Sequence, residues 1–222
     1  MITVRDVTKI YPMRGGGRRR VLDNVSFDVR LGQSIGILGR NGSGKSTLAK
    51  IIGGAIPPTS GTITREMSVS WPLGFVGGFQ SSLTGADNVR FIARLYGVPA
   101  HILMDFVEDF AEIGDYIRMP VRTYSSGMCA RLTFGISLAL EFDCYLIDEA
   151  TAVGDARFAE KCERALLRRR EQGSLIMISH SAKVLRTYCD MGAVLSDGRL
   201  TVYDDLNEAI QIYEGIIGAP VE

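Results

Sequence analysis

Gly39-Arg40-Asn41-Gly42-Ser43-Gly44-Lys45-Ser46-Thr47 follows the apolar stretch Ser34-Ile35-Gly36-Ile37-Leu38 and runs directly into Leu48-Ala49-Lys50-Ile51-Ile52. A strand, a glycine-rich loop and a helix start thus occur in the order that a phosphate cradle requires. Gly39, Gly42 and Gly44 let the backbone turn its N–H groups inward, toward a polyphosphate that a Cβ atom there would hold off, with Arg40, Asn41 and Ser43 completing the loop. Lys45 is expected to reach the β and γ phosphates. The Ser46 hydroxyl is placed for a Mg²⁺ ion, and Thr47 with the first amides of the helix meets the α phosphate, aided by the helix dipole. The expected ligand is a nucleotide.

The chain of 222 residues is long enough for one sizeable α/β domain with a small subdomain, and too short for two full nucleotide domains. Lys plus Arg equals Asp plus Glu at 25 each, so no global basic field holds nucleic acid. The four cysteines, Cys129, Cys144, Cys162 and Cys189, form no C-x-x-C pair, which argues against a zinc site or a disulfide framework and for a reducing compartment. The amino terminus lacks the layout of a signal peptide, and no apolar run approaches membrane-spanning length. If the protein serves a membrane, it does so through a partner.

Outward from the loop, residues 2–11 and 21–30 alternate like strands, with a flexible basic loop from Pro12 to Arg20 between them. From Thr84 to Tyr96 and from Pro99 to Ile113 apolar residues recur at three and four, as in Val89, Ile92, Ala93 and Tyr96, predicting an inserted helical subdomain. A helix follows at about 126–140, then buried strands at 144–147 and 174–178 flanking a charged helix. A hairpin about Asp197-Gly198 and a helix near 206–217 close the chain. Strands alternating with helices imply a mainly parallel sheet covered on both faces.

Cys144-Tyr145-Leu146-Ile147 ends in two carboxylates, Asp148 and Glu149, delivered to the carboxyl edge of the sheet where α/β proteins bind ligands. Asp148 would hold Mg²⁺ through its water shell, and Glu149 would orient and deprotonate an attacking water. The alternative for the pair alone is a solvated strand end.

Between these two segments stands Tyr124-Ser125-Ser126-Gly127-Met128, just before a helix. Here the chain resembles the ATP-binding-cassette ATPases, whose signature loop, usually Leu-Ser-Gly-Gly-Gln, has this place in the order of motifs. Ser125 and Gly127 match that loop, whereas Tyr124, Ser126 and Met128 depart from it. The resemblance implies a P-loop NTPase core of α/β class with a mainly parallel sheet, an amino-terminal antiparallel β subdomain and an inserted α-helical subdomain. The whole chain, 1–222, would be one nucleotide-binding domain, with the helical subdomain at approximately 84–140. It further implies that Ser125, Ser126 and Gly127 bind the γ-phosphate of ATP held by a second copy. His180 resembles the switch histidine that contacts the γ-phosphate. Asp155 looks like the loop aspartate coupling the two sites, and Gln80 sits where the family has a glutamine that meets Mg²⁺ and signals to the membrane partner. Tyr11 is similar to the aromatic residue that stacks on adenine, its alternative being packing in an edge strand.

The stretches Ser70–Gly74, Gly78–Gly85, Tyr124–Met128 and Thr151–Phe158 together resemble the ATPase subunits of bacterial capsular polysaccharide exporters, the KpsT type. That likeness implies an ATP-hydrolysing homodimer at the cytoplasmic face of the inner membrane, bound peripherally to an integral membrane permease that handles the polysaccharide. The alternatives are an exporter of another surface glycan or lipid, such as O-antigen or teichoic acid, and a soluble cassette ATPase acting on nucleic acid. The role of the basic loop stays open between a solvated turn and a contact with anionic lipid or the exporter.

Overall fold

The computed structural model describes residues 1–13, 15–73, 79–148 and 155–218. The chain runs β1 (Ile2–Pro12), β2 (Arg18–Val29), β3 (Ser34–Leu38), α1 (Lys45–Ile52) and β4 (Ser60–Arg65), then α2 (Gly85–Tyr96), α3 (Ala100–Ala111) and α4 (Ser126–Ala139). It continues with β5 (Cys144–Asp148), α5 (Ala156–Gln172), β6 (Ser174–Ile178), α6 (Ala182–Tyr188), β7 (Met191–Ser196), β8 (Arg199–Tyr203) and α7 (Leu206–Ile217).

β1, β2 and β4 make an antiparallel sheet in the order β2-β1-β4. The basic loop expected from Pro12 to Arg20 is shorter than the sequence suggests. Arg18, Arg19 and Arg20 belong to β2, opposite Pro12, Tyr11 and Ile10. The turn closes within a few residues because Gly15 and Gly16 take φ of 100° and 90°. Glycine enters that left-handed region without steric cost, and the Gly16 N–H donates back to the Met13 carbonyl.

The other sheet has the order β5-β6-β3-β7-β8, parallel except for the β7–β8 hairpin. Side chains alternate across it. Ile35, Ile37, Cys144, Leu146, Ile176, Ile178, Ala193 and Leu195 share a core with Leu48, Ile51 and Ile52 of α1 and with Val4, Val25 and Phe27 of the antiparallel sheet. Each Val, Leu, Ile or Phe side chain among them contributes about 1.5–3 kcal/mol by leaving water. On the opposite face a Cβ at Gly36 would stand 3.0 Å from Leu185 of α6 and 3.3 Å from Leu206 of α7. The small residue in β3 therefore lets both helices close over the sheet. The alternating pattern gives no helix at 182–188; α6 is there, short and capped by the Ser181 hydroxyl, which accepts from the Val184 N–H.

Two compact units divide the chain. One comprises Met1–Pro72, Phe142–Glu149 and Leu167–Glu222, and the other Leu73–Glu141 and Ala150–Leu166. The second unit holds α2, α3, α4 and the start of α5, so it takes in residues beyond the expected 84–140. Its centre is α4, buried continuously from Leu132 to Leu138. Gly135 brings Val107, Phe110 and Ala111 of α3 within 3.6–3.7 Å of where its Cβ would be. Thr84 caps α2 by accepting from the Asp87 N–H. Among the described residues no helix is long and apolar enough to cross a membrane.

Candidate functional site

β3 ends at Leu38 and α1 begins at Lys45, so the glycine loop is the whole connection. A Cβ at Gly39 would lie 2.6 Å from the Leu195 carbonyl oxygen. Gly44 is doubly constrained: its φ is +112°, and a Cβ there would lie 2.9 Å from the Val21 carbonyl oxygen. α1 has no side-chain cap and no acidic residue in its first turn, which leaves its first N–H groups and positive dipole end to be matched by an anion. Lys45 is 8% exposed, and its Nζ donates to the Gly39 carbonyl at 2.6 Å and the Arg40 carbonyl at 3.1 Å. The Ser43 Oγ is buried without a hydrogen-bond partner. An orphaned buried hydroxyl costs about 1–3 kcal/mol, which a phosphate oxygen at this loop would recover. These features fit a bound phosphate chain.

The far end of α1 is held as well. Arg65 of β4 donates from Nε to the Ile52 carbonyl at 2.7 Å and from Nη2 to the Ile51 carbonyl at 2.6 Å. A cation at the negative end of the helix fixes the axis along which the amino-terminal amides point.

A cleft of about 700 Å³ opens beside the loop, lined by Tyr11, Arg19 and Val21 of the hairpin and by Asn41, Gly42 and Gly44–Thr47. Ser46 is exposed and Thr47 half-buried there. Tyr11 is 37% exposed, with the Lys9 ammonium 5.3 Å over its ring centroid. His180 is exposed two residues beyond β6 and lines an adjoining cleft with Gly39, Arg40 and Asn41. Asp148 is half-buried at the end of β5, paired with Ile178 of β6. Because β6 lies between β5 and β3, Asp148, His180 and the loop all leave the same edge of three neighbouring strands. Glu149, Gly77, Gly78 and Thr151–Gly154 lie outside the described residues.

In the second unit Ser125 caps α4, its hydroxyl accepting from the Met128 N–H at 3.2 Å, and Ser126 and Gly127 form the exposed or half-buried first turn. No acidic residue stands in that turn. A Cβ at Gly127 would meet nothing nearer than the Ser125 Oγ at 3.9 Å. This chain's own packing therefore has no need of a glycine there. Asp155 accepts from the Phe158 N–H at 3.0 Å at the start of α5 and from Arg131 Nη2 at 2.7 Å. The Phe158 amide, with help from the Arg131 charge, holds the Asp155 carboxyl below the usual carboxylate range. The Gln80 N–H donates to Asn88 Oδ1 at 2.9 Å, and Asn88 Nδ2 donates to the Gln80 carbonyl at 3.2 Å and the Thr84 carbonyl at 2.9 Å. A buried amide thus fixes the backbone that carries the exposed Gln80 side chain.

The profile of the ABC transporter family matches residues 22–152, a span that holds the phosphate loop, the loop before α4 and the double carboxylate. The chain belongs to the ABC transporter family. Over 213 residues it is 53% identical to the ATP-binding protein BexA of Haemophilus influenzae, covering 96% of this chain and 98% of that one. It is 51% identical to the capsule polysaccharide export ATP-binding protein CtrD of Neisseria meningitidis serogroup B, covering 97% and 100%. To a polysialic acid transport ATP-binding protein KpsT of Escherichia coli the identity is 48%, covering 96% and 99%. The dimeric structure of MJ0796, a bacterial ABC transporter cassette, superposes with a TM-score of 0.79 at 22% identity, over 93% of this chain and 99% of that one, and so shares the fold.

Within this ABC cassette, several residues that hold the loops in place stand in no recognisable sequence motif. Arg131 is the clearest. Besides Asp155, its guanidinium donates to the Ala111 carbonyl at 3.2 Å, lies 3.9 Å from Glu112 and stands 4.3 Å over the Phe158 ring. One side chain therefore ties the helix that starts at Ser125 to the ends of α3 and α5, a tertiary relation that no spacing announces. Arg65 and Asn88 are of the same kind. Arg19 was legible only as part of a basic run, because its place depends on where the hairpin turns.

Proposed function

We propose that the chain is the ATPase subunit of a bacterial exporter of capsular polysaccharide, peripheral to the cytoplasmic face of the cell membrane and acting as a homodimer on an integral membrane permease. The observation that carries this reading is the convergence of the described half-site residues of the first unit on one sheet edge. Cradle, strand-end Asp148 and His180 leave one sheet edge, while Gly127 in the second unit stands half-buried beside the exposed Ser125 and Ser126, where its own packing does not need a glycine. Similarity over nearly the whole length to capsule-export ATP-binding proteins supports the polysaccharide. The sugar itself would be handled by the permease, and no nucleic acid is involved.

In this reading Tyr11 stacks on adenine with the ring face that Lys9 leaves open. The loop amides from Gly39 to Gly44, with Arg40, Asn41 and Ser43, wrap the phosphates, and Thr47 meets the α phosphate. Lys45 exchanges the Gly39 and Arg40 carbonyls for the β and γ phosphates. Ser46, Asp148 and Gln80 are oxygen donors suited to Mg²⁺, which when bound neutralises charge on the phosphates. Glu149 takes a proton from water as its oxygen attacks the γ phosphorus, and the bond to the bridging oxygen breaks to leave ADP and phosphate. His180 steadies the γ-phosphoryl oxygens. Ser125, Ser126, Gly127 and Asp155 come from the other copy, so closure of two chains on two ATP molecules completes each site.

The test is Glu149→Gln. The variant should bind ATP with unchanged affinity, hydrolyse it at less than about a hundredth of the normal rate and run as a dimer with ATP in size-exclusion chromatography. Normal turnover would remove Glu149 as the base. Accumulation of capsular polysaccharide inside cells that carry only this variant should follow; its absence would count against the polysaccharide.

A further inference from the structure

The basic run Arg18–Arg20 is the motif that the roles above leave unused. Strand geometry separates its members, because neighbouring side chains of a strand point to opposite faces. Arg20 is occupied by Asp23, at 2.7 Å from Nη1 to Oδ1. Arg19 stands directly opposite Tyr11 in the hairpin register and, with Val21, forms one wall of the cleft whose other wall is Gly42, Gly44 and Lys45–Thr47. No Asp or Glu lines that cleft. Among the described residues no carboxylate pairs with Arg19. The Lys45 ammonium is turned inward onto two carbonyls, whereas the Arg19 guanidinium is exposed at the cleft wall.

We propose that Arg19 is a nucleotide-binding residue, its guanidinium pairing with the phosphates of the ATP held by its own chain from the side of Tyr11. The proposal rests on the cleft being the ATP site. ATP brings several negative charges into a cleft lined by no carboxylate, Asp197 lying in the adjoining cleft that Arg19 also borders, and a guanidinium fork matches phosphate oxygens two at a time. Its neighbour Arg18, on the other face of β2, does not line the cleft.

The experiment is calorimetric titration of the full chain with ATP, ADP and AMP in the presence of Mg²⁺, for the natural protein and for Arg19→Ala, Arg19→Lys, Arg18→Ala and Lys45→Ala. Arg19→Ala should weaken ATP roughly tenfold, the scale of one charge-assisted contact. The loss should shrink from ATP to AMP, Arg19→Lys should recover part of it, and Arg18→Ala should bind normally. An ATP affinity of Arg19→Ala within about twofold of normal, or an equal loss in Arg18→Ala, would overturn the proposal. Loss of binding to phosphatidylglycerol vesicles with intact ATP affinity would also overturn it and assign the arginine to the membrane. If Lys45→Ala binds ATP as well as the natural protein does, the reading of the cleft itself fails. Arg19→Lys keeps the test decisive should the alanine variant not fold.

Discussion

Two glycine-bearing loops open two helices in this chain, and they are held for different reasons. Gly44 before α1 is fixed from within: its backbone is left-handed and a side chain would strike the Val21 carbonyl. Gly127 in the first turn of α4 has helical backbone and open space around it. The first loop is thus a finished object, shaped by the packing of its own unit. The second gives no internal account of its smallness, which directs attention to a surface outside the chain.

The contrast is sharpest in paired substitutions. Gly44→Ala should abolish ATP binding in calorimetry and lower stability by roughly 1–2 kcal/mol or more, because a left-handed alanine is strained and its Cβ is crowded. Retained ATP binding would break the distinction. Gly127→Ala should do the reverse to the fold, raising stability by up to about 1 kcal/mol through helix propensity and leaving monomer ATP binding intact. Its hydrolysis should nevertheless fall about tenfold or more, on the scale of one lost transition-state contact. Normal turnover would return the glycine to an incidental role.

Smaller effects probe how the second unit is tied together. Arg131→Met should cost about 1–3 kcal/mol in denaturant unfolding, since it removes the guanidinium that donates to the Ala111 carbonyl and pairs with Asp155. Hydrolysis should drop with little change in ATP affinity, and Arg131→Lys should restore stability better than geometry-dependent turnover. Thr84→Ala should cost about 1 kcal/mol by removing the cap of α2, read in the same unfolding curves. The smallest effect is in pH. The hydrogen bond from Lys161 and its charge hold Glu112 below the usual carboxylate range. Its stabilising contribution is therefore present above the unfolded-state value and lost as pH falls through the lower folded value. The Tm difference between the natural chain and Glu112→Gln should be small at neutral pH and vanish in acid.

The same contrast explains what the sequence made legible. Strand, loop and α1 are contiguous, so their order alone announced the cradle, and Asp148 followed from an apolar strand ending in carboxylates. The parallel sheet followed from alternating strands and helices. The hairpin turn was misplaced because an arginine run reads as loop, although glycines at 15 and 16 close the turn early and leave Arg18–Arg20 in β2. α6 escaped because seven residues give too little periodicity. Arg131 and Asn88 escaped because their meaning lies in partners at Asp155, Ala111 and Gln80, distant in sequence and adjacent only after folding.

The inward turn of Lys45 has a consequence for the working cycle. With its ammonium bonded to the carbonyls of Gly39 and Arg40, Lys45 leaves no stranded charge beneath the loop. On the proposed role of Lys45, nucleotide arrival would swap one set of oxygens for another, so the lysine would contribute selectivity for a triphosphate more than raw grip. A motor that must let go of its spent fuel on every stroke gains from such a reversible exchange.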